Sequence, residues 1–372
     1  MIALHYLYSL PCNVTMALHH MALTARTNVS STLLCIIVLL FSTVMCADIF
    51  QHTEIRCAPN ESPRSQSQSS PRVAIAFFGI SRNLKLTLPL FEKYVFGALG
   101  RHGIQSDVYW HTVTKHSISN IHTTERNEEL NRFDVQLMNP CVFELADEGV
   151  VKEAEFAAFK KSRLDGHNKS MLKFDPFHKY FHDNYESLQN MLCAFHSQFR
   201  LHQMISNRMR TMNITYDAIL VLRPDTGVMF RDIDLPKFLP GIRNNELKGV
   251  WTPDFQRWKG LNDRFAFGDV SSMLMYLSRG ERYKQKADKL TEGSGEKFLK
   301  KYLRRQGINS YDSKVRVMRI RASGVVARKD CLDESIRKNY GEQLKNCITW
   351  VRGRDSAAAS DDECRILNIK DC

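Results

Sequence analysis

Two apolar runs constrain this chain more than any other feature. Residues 73–78 read VAIAFF and residues 217–222 read DAILVL. A strand that faces water on one side alternates apolar and polar residues. A run without a polar face fits a strand buried on both sides, as in a parallel sheet covered by helices. Each run stops at a polar turn, Gly79-Ile80-Ser81-Arg82 after the first and Arg223-Pro224-Asp225-Thr226-Gly227 after the second.

The segments between these runs alternate in kind. Leu90, Phe91, Tyr94, Val95, Ala98 and Leu99 mark one face of a helix. Thr87 can cap its start, and Gly100 and Gly103 close it. Residues 107–111 (DVYWH) read as a second strand. Strand, helix and strand so close together make a βαβ unit, whose two strands run parallel. Residues 115–179 are polar and read as an insertion with one helical stretch near 150–159. A long helix over 185–212 leads to the strand at 217–222, and a further strand follows at 249–252. The run 265–268 is a strand that enters a short helix capped by Asp269 or Ser271. Residues 295–305 form another helix, stopped by Gly307, and 315–320 is a last strand. This alternation predicts an α/β domain with a mostly parallel sheet flanked by helices.

The N-terminal part has a different character. Residues 27–47 carry no charge, long enough as a helix to span about 30 Å of hydrocarbon. The apolar centre, 33–41, is short enough for a signal peptide as well, with Val44 and Cys46 placed before a cleavage at Ala47. Arg26 precedes the segment, and Asp48 and Glu54 follow it, which puts the N-terminus in the cytosol and the bulk of the chain across the membrane. The expected layout is a cytosolic region (1–26), a signal-anchor or signal peptide (27–47), a flexible stem (48–71), a catalytic domain (72–330) and a cysteine-containing tail (331–372). The stem contains CAPNESPRSQSQSSP, a composition that buries almost nothing. Two localisations stay open: a single-pass type II protein of the Golgi or ER membrane with its bulk in the lumen, or a secreted protein after cleavage. Sequons for glycosylation stand at Asn60, Asn168 and Asn213. Seven cysteines follow the segment, and an odd number leaves at least one without a partner in the same chain. None forms a CxxC pair, which argues against a zinc ribbon.

The formal net charge is +12. Lys and Arg are spread along the chain, and their densest groups, 297–305 and 316–321, are interleaved with apolar residues. That pattern fits a scattered basic surface with positive charge at an anionic-ligand site better than a nucleic-acid face. No nucleic-acid partner is expected.

In open α/β sheets the ligand lies beyond the carboxyl ends of the strands. Gly79 and Arg82 follow the first strand, and Arg223 and Asp225 follow the central one. A glycine there lets backbone approach a ligand, and an arginine can pair with a diphosphate through its planar fork. Asp225 can hold a divalent cation; equally, Pro-Asp-Thr-Gly is good turn chemistry. Asn262, Asp263 and Arg264 form a third group. An amide, a carboxylate and a guanidinium together can read sugar hydroxyls and phosphate, or they can be a turn closed by an Asp–Arg pair. Asp263 is a candidate base for an acceptor hydroxyl, and Glu296, at the opening of a helix, is a second. Arg319 and Arg321 alternate on a strand. His178 and His182 have the i, i+4 spacing of metal ligands, but no third ligand accompanies them. No dinucleotide, P-loop or nucleophile-elbow motif follows the strands, which argues against an oxidoreductase, a P-loop kinase and an α/β-hydrolase.

The order of the motifs FFGISRNLKLTLP, SDVYWHT, YDAILVLRPDTGVMF, GLNDRFAFGDVSSMLMY, SGEKFLKKYL and VRVMRIRASG resembles glycosyltransferases of algae, plants and protists. These are distantly similar to bacterial lipopolysaccharide-synthesis proteins of the WavE type. The resemblance spans about residues 73–324. It implies a GT-A-like fold, a nucleotide-sugar donor and a glycan or glycoconjugate hydroxyl as acceptor. It places Arg223-Pro224-Asp225 where many such enzymes keep an Asp-x-Asp motif for Mn²⁺ or Mg²⁺. Arg223 replaces the first carboxylate, which puts the metal in doubt and adds a positive charge that can serve the leaving diphosphate. The alternative is a degenerate transferase fold that binds glycans or a partner without catalysis.

Overall fold

The computed structural model describes residues 53–55, 70–119, 125, 127–131, 134–165, 185–228, 231–285, 294–322, 324–327, 330 and 363–365. The chain divides into Met1–Gln51 and His52–Cys372, and all the described residues belong to the second unit. The segment 27–47, the sequons at Asn60 and Asn168, His178 and His182, and the tail apart from 363–365 lie outside the described residues. Among the described residues no helix is long and apolar enough to cross a membrane.

The elements run in the order β1 (Thr53–Ile55), β2 (Arg72–Phe78), α1 (Leu84–Phe91), a π-helical turn (Glu92–Phe96), α2 (Gly97–Arg101), β3 (Gln105–Thr114), β4 (Ser117–Ile118), β5 (Glu128–Glu129), β6 (Val142–Asp147), α3 (Glu148–Asp165) and α4 (Glu186–Met212). Then come β7 (Ala218–Leu222), β8 (Thr226–Val228), α5 (Leu235–Arg243), β9 (Val250–Pro253), β10 (Phe265–Gly268), α6 (Val270–Gln285), α7 (Gly295–Arg305), β11 (Ser310–Ser313), β12 (Val317–Arg319), β13 (Val325–Ala327) and β14 (Glu363–Arg365).

The main sheet has the order β1-β6-β3-β2-β7-β10-β9-β11. All but β1 and β10 run the same way. From β6 to β7 the order is that of a doubly wound α/β sheet; beyond β7 the antiparallel β10 is inserted ahead of β9. The expected α/β fold, a mostly parallel sheet flanked by helices, therefore stands on observed strand order and direction.

The apolar runs behave as their composition requires. Val73, Ile75 and Phe77 of β2 enter one core with Leu90 and Phe91 of α1 and Leu235 and Leu239 of α5. Ala74, Ala76 and Phe78 enter the other with Leu192 and Leu201 of α4, Tyr276 of α6 and Leu299 of α7. Helices thus cover both faces, which is why neither run has a polar side.

Several expectations change. Residues 115–179 are not merely an insertion, because β6 is an integral strand beside β3. Its polar member Glu144 is buried, and Arg200 of α4 satisfies it through Nε at 2.7 Å and Nη2 at 2.9 Å. Thr87 does not cap a helix. It lies inside α1, and its hydroxyl donates to the Pro224 carbonyl at 2.9 Å. The helix after β10 is 16 residues long rather than short. Asp269 does cap it, accepting from the Ser272 N–H at 3.0 Å. The last strand of the main sheet is β11, while β12 pairs with β8 in a separate two-stranded ribbon. Gly307 ends α7 as expected, with a φ of +68°. Helix α5 was illegible because its sequence LPKFLPGIR holds two prolines.

Candidate functional site

One antiparallel strand assembles the site. Phe265, the first residue of β10, pairs with Leu222, the last of β7. The residues just before β10 must then lie beside those just after β7. The Arg223 N–H donates to the Arg264 carbonyl at 3.2 Å, which joins the two groups directly. The loop after β2 comes alongside because β2 pairs in parallel with β7. Gly79 turns there with a φ of +88°, and no heavy atom lies within 4 Å of where a Cβ would stand. Its glycine is needed for backbone conformation, not for space.

Around Asp225 the charges are tightly matched. Arg223 donates to Asp225 through Nε at 2.8 Å and Nη2 at 2.7 Å, a two-pronged pair within one turn. The Nε of Arg82 is 3.4 Å from the same carboxylate. Arg82 Nη1 also donates at 2.6 Å to Glu125, which is buried and lies 3.7 Å from Arg321. Burial opposes ionisation of Asp225, but Arg223, Arg82 and Arg321 outweigh it and hold the carboxyl well below its ordinary range. Burial, together with the neighbouring Arg82 and Arg319, lowers Arg321 to about 10.

The three residues before β10 diverge. Asn262 is buried; its amide donates to the Phe255 carbonyl at 3.1 Å and accepts from the Arg264 N–H at 3.1 Å. Arg264 turns inward to Gln256 and Asp330. Asp330, wholly buried, also accepts from Arg319 through its backbone N–H at 2.8 Å, Nε at 3.0 Å and Nη2 at 2.8 Å. Burial resists its charge, yet Arg319 and Arg264 bring Asp330 down to about 2. Of the three, Asp263 is the one whose side chain keeps substantial contact with solvent. No Asp263–Arg264 pair closes the turn; instead the Asp263 carboxylate points toward Arg279 of α6, 3.9 Å away.

Glu296 completes the group. Ser294 caps α7, accepting from the Lys297 N–H at 3.4 Å, and its own hydroxyl donates to Glu296 at 2.7 Å. Burial raises the Glu296 carboxyl above its usual value, and the negative charge of Asp263 raises it further. The two carboxylates therefore share one neighbourhood. The loop before Asn262 is fastened to this helix start. The Leu261 N–H donates to the Glu296 carbonyl at 3.1 Å, and a side chain at Gly260 would collide with the Glu296 backbone.

Arg82, Arg223, Arg264, Arg279, Arg319 and Arg321 thus meet Glu125, Asp225, Asp263, Glu296 and Asp330. This is a nearly compensated ion network, not a bare basic patch. Its side chains best placed to meet a ligand are Arg223, 31% exposed, and Asp263, 29% exposed. Sequence reading found Gly79, Arg82, Arg223, Asp225, Asp263 and Glu296, and the fold brings them to one end of the sheet. It missed Glu125, Arg279 and Asp330, whose roles depend on partners distant in sequence and leave no spacing signal.

A divalent cation does not fit Asp225. Both carboxylate oxygens are engaged by Arg223, Arg82 is close by, and the group is buried. Among the described residues no group of three His, Cys, Asp or Glu is arranged to hold a metal ion.

No protein-family model matches the chain, and no curated protein does. Among solved structures it is similar to mouse xyloside xylosyltransferase 1 in its apo form, at 11% identity and a TM-score of 0.31, over 66% of this chain and 85% of that one. It is also similar to the apo form of the glycosyltransferase GlyE of Streptococcus pneumoniae TIGR4, at 13% identity and a TM-score of 0.27, over 66% of this chain and 46% of that one. TM-scores this low carry no argument about what the chain does.

Proposed function

We propose that this chain is a glycosyltransferase that moves a sugar from a nucleotide-sugar donor to a hydroxyl of a glycan or glycoconjugate. One observation carries the reading: a partly exposed arginine, Arg223, and a partly exposed aspartate, Asp263, belong to loops joined backbone to backbone at the carboxyl end of β7. Inverting glycosyl transfer uses two such charges. A diphosphate leaving group gains negative charge that a fixed guanidinium can offset, and the acceptor hydroxyl must lose a proton to a positioned base.

In this reading the open backbone at Gly79 borders the donor, and Arg223, backed by Arg82 and Asp225, receives its diphosphate. Asp263 is the base, with Glu296 the alternative. Asn262 and Arg264 hold the loop on the sugar and acceptor side. An inverting reaction requires the base in line with the acceptor hydroxyl. The order of sequence motifs, similar to transferases of algae, plants and protists, supports the same class. A secretory location is part of the proposal. Cys141 is disulfide-bonded, which favours an oxidising compartment.

The test is a donor-hydrolysis and transfer screen on the full chain, purified in detergent from a secretory host, with and without Mn²⁺ or Mg²⁺. A donor used by the wild type and lost by Arg223→Ala and Asp263→Asn supports the site. Full activity in both variants removes it. The engagement of both Asp225 oxygens also favours a second reading, a non-catalytic binder of glycans or a partner. Calorimetry separates the two: no heat with any nucleotide sugar, with or without metal, favours the binder.

A further inference from the structure

Arg279 is a buried cation with unpartnered donors. It is wholly buried on α6, and only its Nη1 has a hydrogen-bond partner, the Tyr276 carbonyl at 2.9 Å. Its Nε and Nη2 are buried without one. A buried cation with idle donors is expensive unless a nearby charge or a π face compensates it. Both are present. The guanidinium lies over the Tyr276 ring at 4.0 Å and near the Phe195 ring at 5.3 Å. Its idle Nη2 is 3.9 Å from Asp263 Oδ2, too far for a hydrogen bond but well within electrostatic reach.

The same helix turn also holds the main chain of Asp263, since the Tyr276 hydroxyl donates to the Asp263 carbonyl at 3.2 Å. Gly280, next to Arg279, allows α6 to lie close against α4, because a side chain there would press on Phe195. Gly295, at the start of α7, leaves room at Asp263 Oδ2. We infer that Arg279 is a positioning residue for Asp263, a buried guanidinium that compensates the carboxylate from behind and keeps it turned toward the acceptor side.

The inference rests on the transferase reading, which makes Asp263 the base. Asp263 is faced by charges from every side. The carboxylate of Glu296 on α7 and the guanidinium groups of Arg223 after β7, the adjacent Arg264 and Arg279 all lie within its electrostatic neighbourhood. Of the three cations, Arg223 is bound to Asp225 and Arg264 to Asp330. Arg279 has idle donors beside Asp263. A small turn of the carboxylate would close a charge-assisted bond to Nη2.

The test compares Arg279→Met, which keeps apolar bulk and removes the charge, with Arg279→Lys, which keeps the charge, both as full-length protein. Thermal melting first establishes that each variant is folded. The acid limb of the kcat/KM profile should move to higher pH by about tenfold in proton affinity in Arg279→Met. kcat should fall while the donor KM holds, and Arg279→Lys should recover part of the loss. Carbon NMR of the Asp263 carboxyl, assigned against Asp263→Asn, reads the same displacement without turnover. An Asp263 titration unchanged by Arg279→Met overturns the inference whatever the activity. Loss of activity in Asp263→Asn, with that unchanged titration, overturns it while leaving the transferase reading intact. Full activity in Asp263→Asn defeats Asp263 as the base, and the role of Arg279 with it.

Discussion

The Arg223 N–H bonded to the Arg264 carbonyl at 3.2 Å is where two distant stretches of sequence become one site. It exists because β10 runs against β7, so a chain entering β10 starts beside a chain leaving β7. A fully parallel sheet would have put the Asn262–Arg264 group at its opposite end. The reversal of a single strand therefore brings the Asp263 carboxylate to the end of the sheet where Arg223 already stands.

Asp225→Asn should unfold more readily than the wild type. The neutral amide takes from Arg223 its two-pronged partner and from Arg82 one of its two carboxylates, and breaking a pair made by a buried carboxylate costs on the order of 3 kcal/mol. Urea denaturation at neutral pH reads this directly. Wild-type stability in the variant would mean that Asp225 does not anchor the arginines.

Acid should weaken the fold partly through Asp330. Its folded value, about 2, lies below that of an unfolded aspartate. The stability it adds is complete above the unfolded value, near 3.9, and is lost as pH falls toward about 2. The amount is about 2 kcal/mol. Denaturation curves between pH 6 and about 2 should therefore be flatter for Asp330→Asn than for wild type. Equal slopes would show that Arg319 and Arg264 do not depend on it.

The sequence disclosed the parts of this arrangement that follow from local chemistry. Apolar runs gave β2 and β7, a stopping glycine ended α7, and polar strand ends marked Gly79, Arg82, Arg223 and Asp225. It hid whatever depends on distant partners. β6 was obscured by Glu144, which is tolerable only because Arg200 satisfies it. The ion pair of Arg223 with Asp225 lies two residues apart, but only the fold shows that it replaces a free carboxylate. Arg279 gave no hint of function, since a charge on a helix usually faces water.

Gly260→Ala should be among the most damaging single-methyl changes. The new Cβ would overlap backbone atoms of Glu296, which cannot move without shifting the start of α7. Overpacking against backbone costs about 3 kcal/mol or more. Thermal melting should fall sharply, and any transferase activity should be lost with it. A variant as stable as wild type would mean that the loop before Asn262 is not held against α7.

Asn213 should carry a glycan if the chain passes through the secretory pathway. It is exposed at the end of α4, in a left-handed turn with a φ of +51°, followed by Ile214 and an exposed Thr215. Removal of N-glycans from protein made in a secretory host should shift its mass, and Asn213→Gln should abolish one step of that shift. No difference between the two proteins would remove this site from the proposal.

Glu296→Gln should make the protein more stable and the enzyme worse. Burial and Asp263 raise the Glu296 carboxyl, so its charged form is disfavoured in the fold relative to the unfolded chain. With a raised acid value, the stability linked to this group is greatest below the unfolded value, near 4.3, and declines as pH rises through the folded value. Glutamine removes that penalty and can still accept from Ser294. A gain in stability at neutral pH that fades as pH falls below the unfolded carboxyl value is expected from denaturation curves. The same change takes a negative charge from beside Asp263. The acid limb of kcat/KM should move to lower pH, opposite to the effect of Arg279→Met, and the rate at neutral pH should fall several-fold. A Glu296→Gln protein less stable than wild type at pH 7 would show that the two carboxylates are not in conflict.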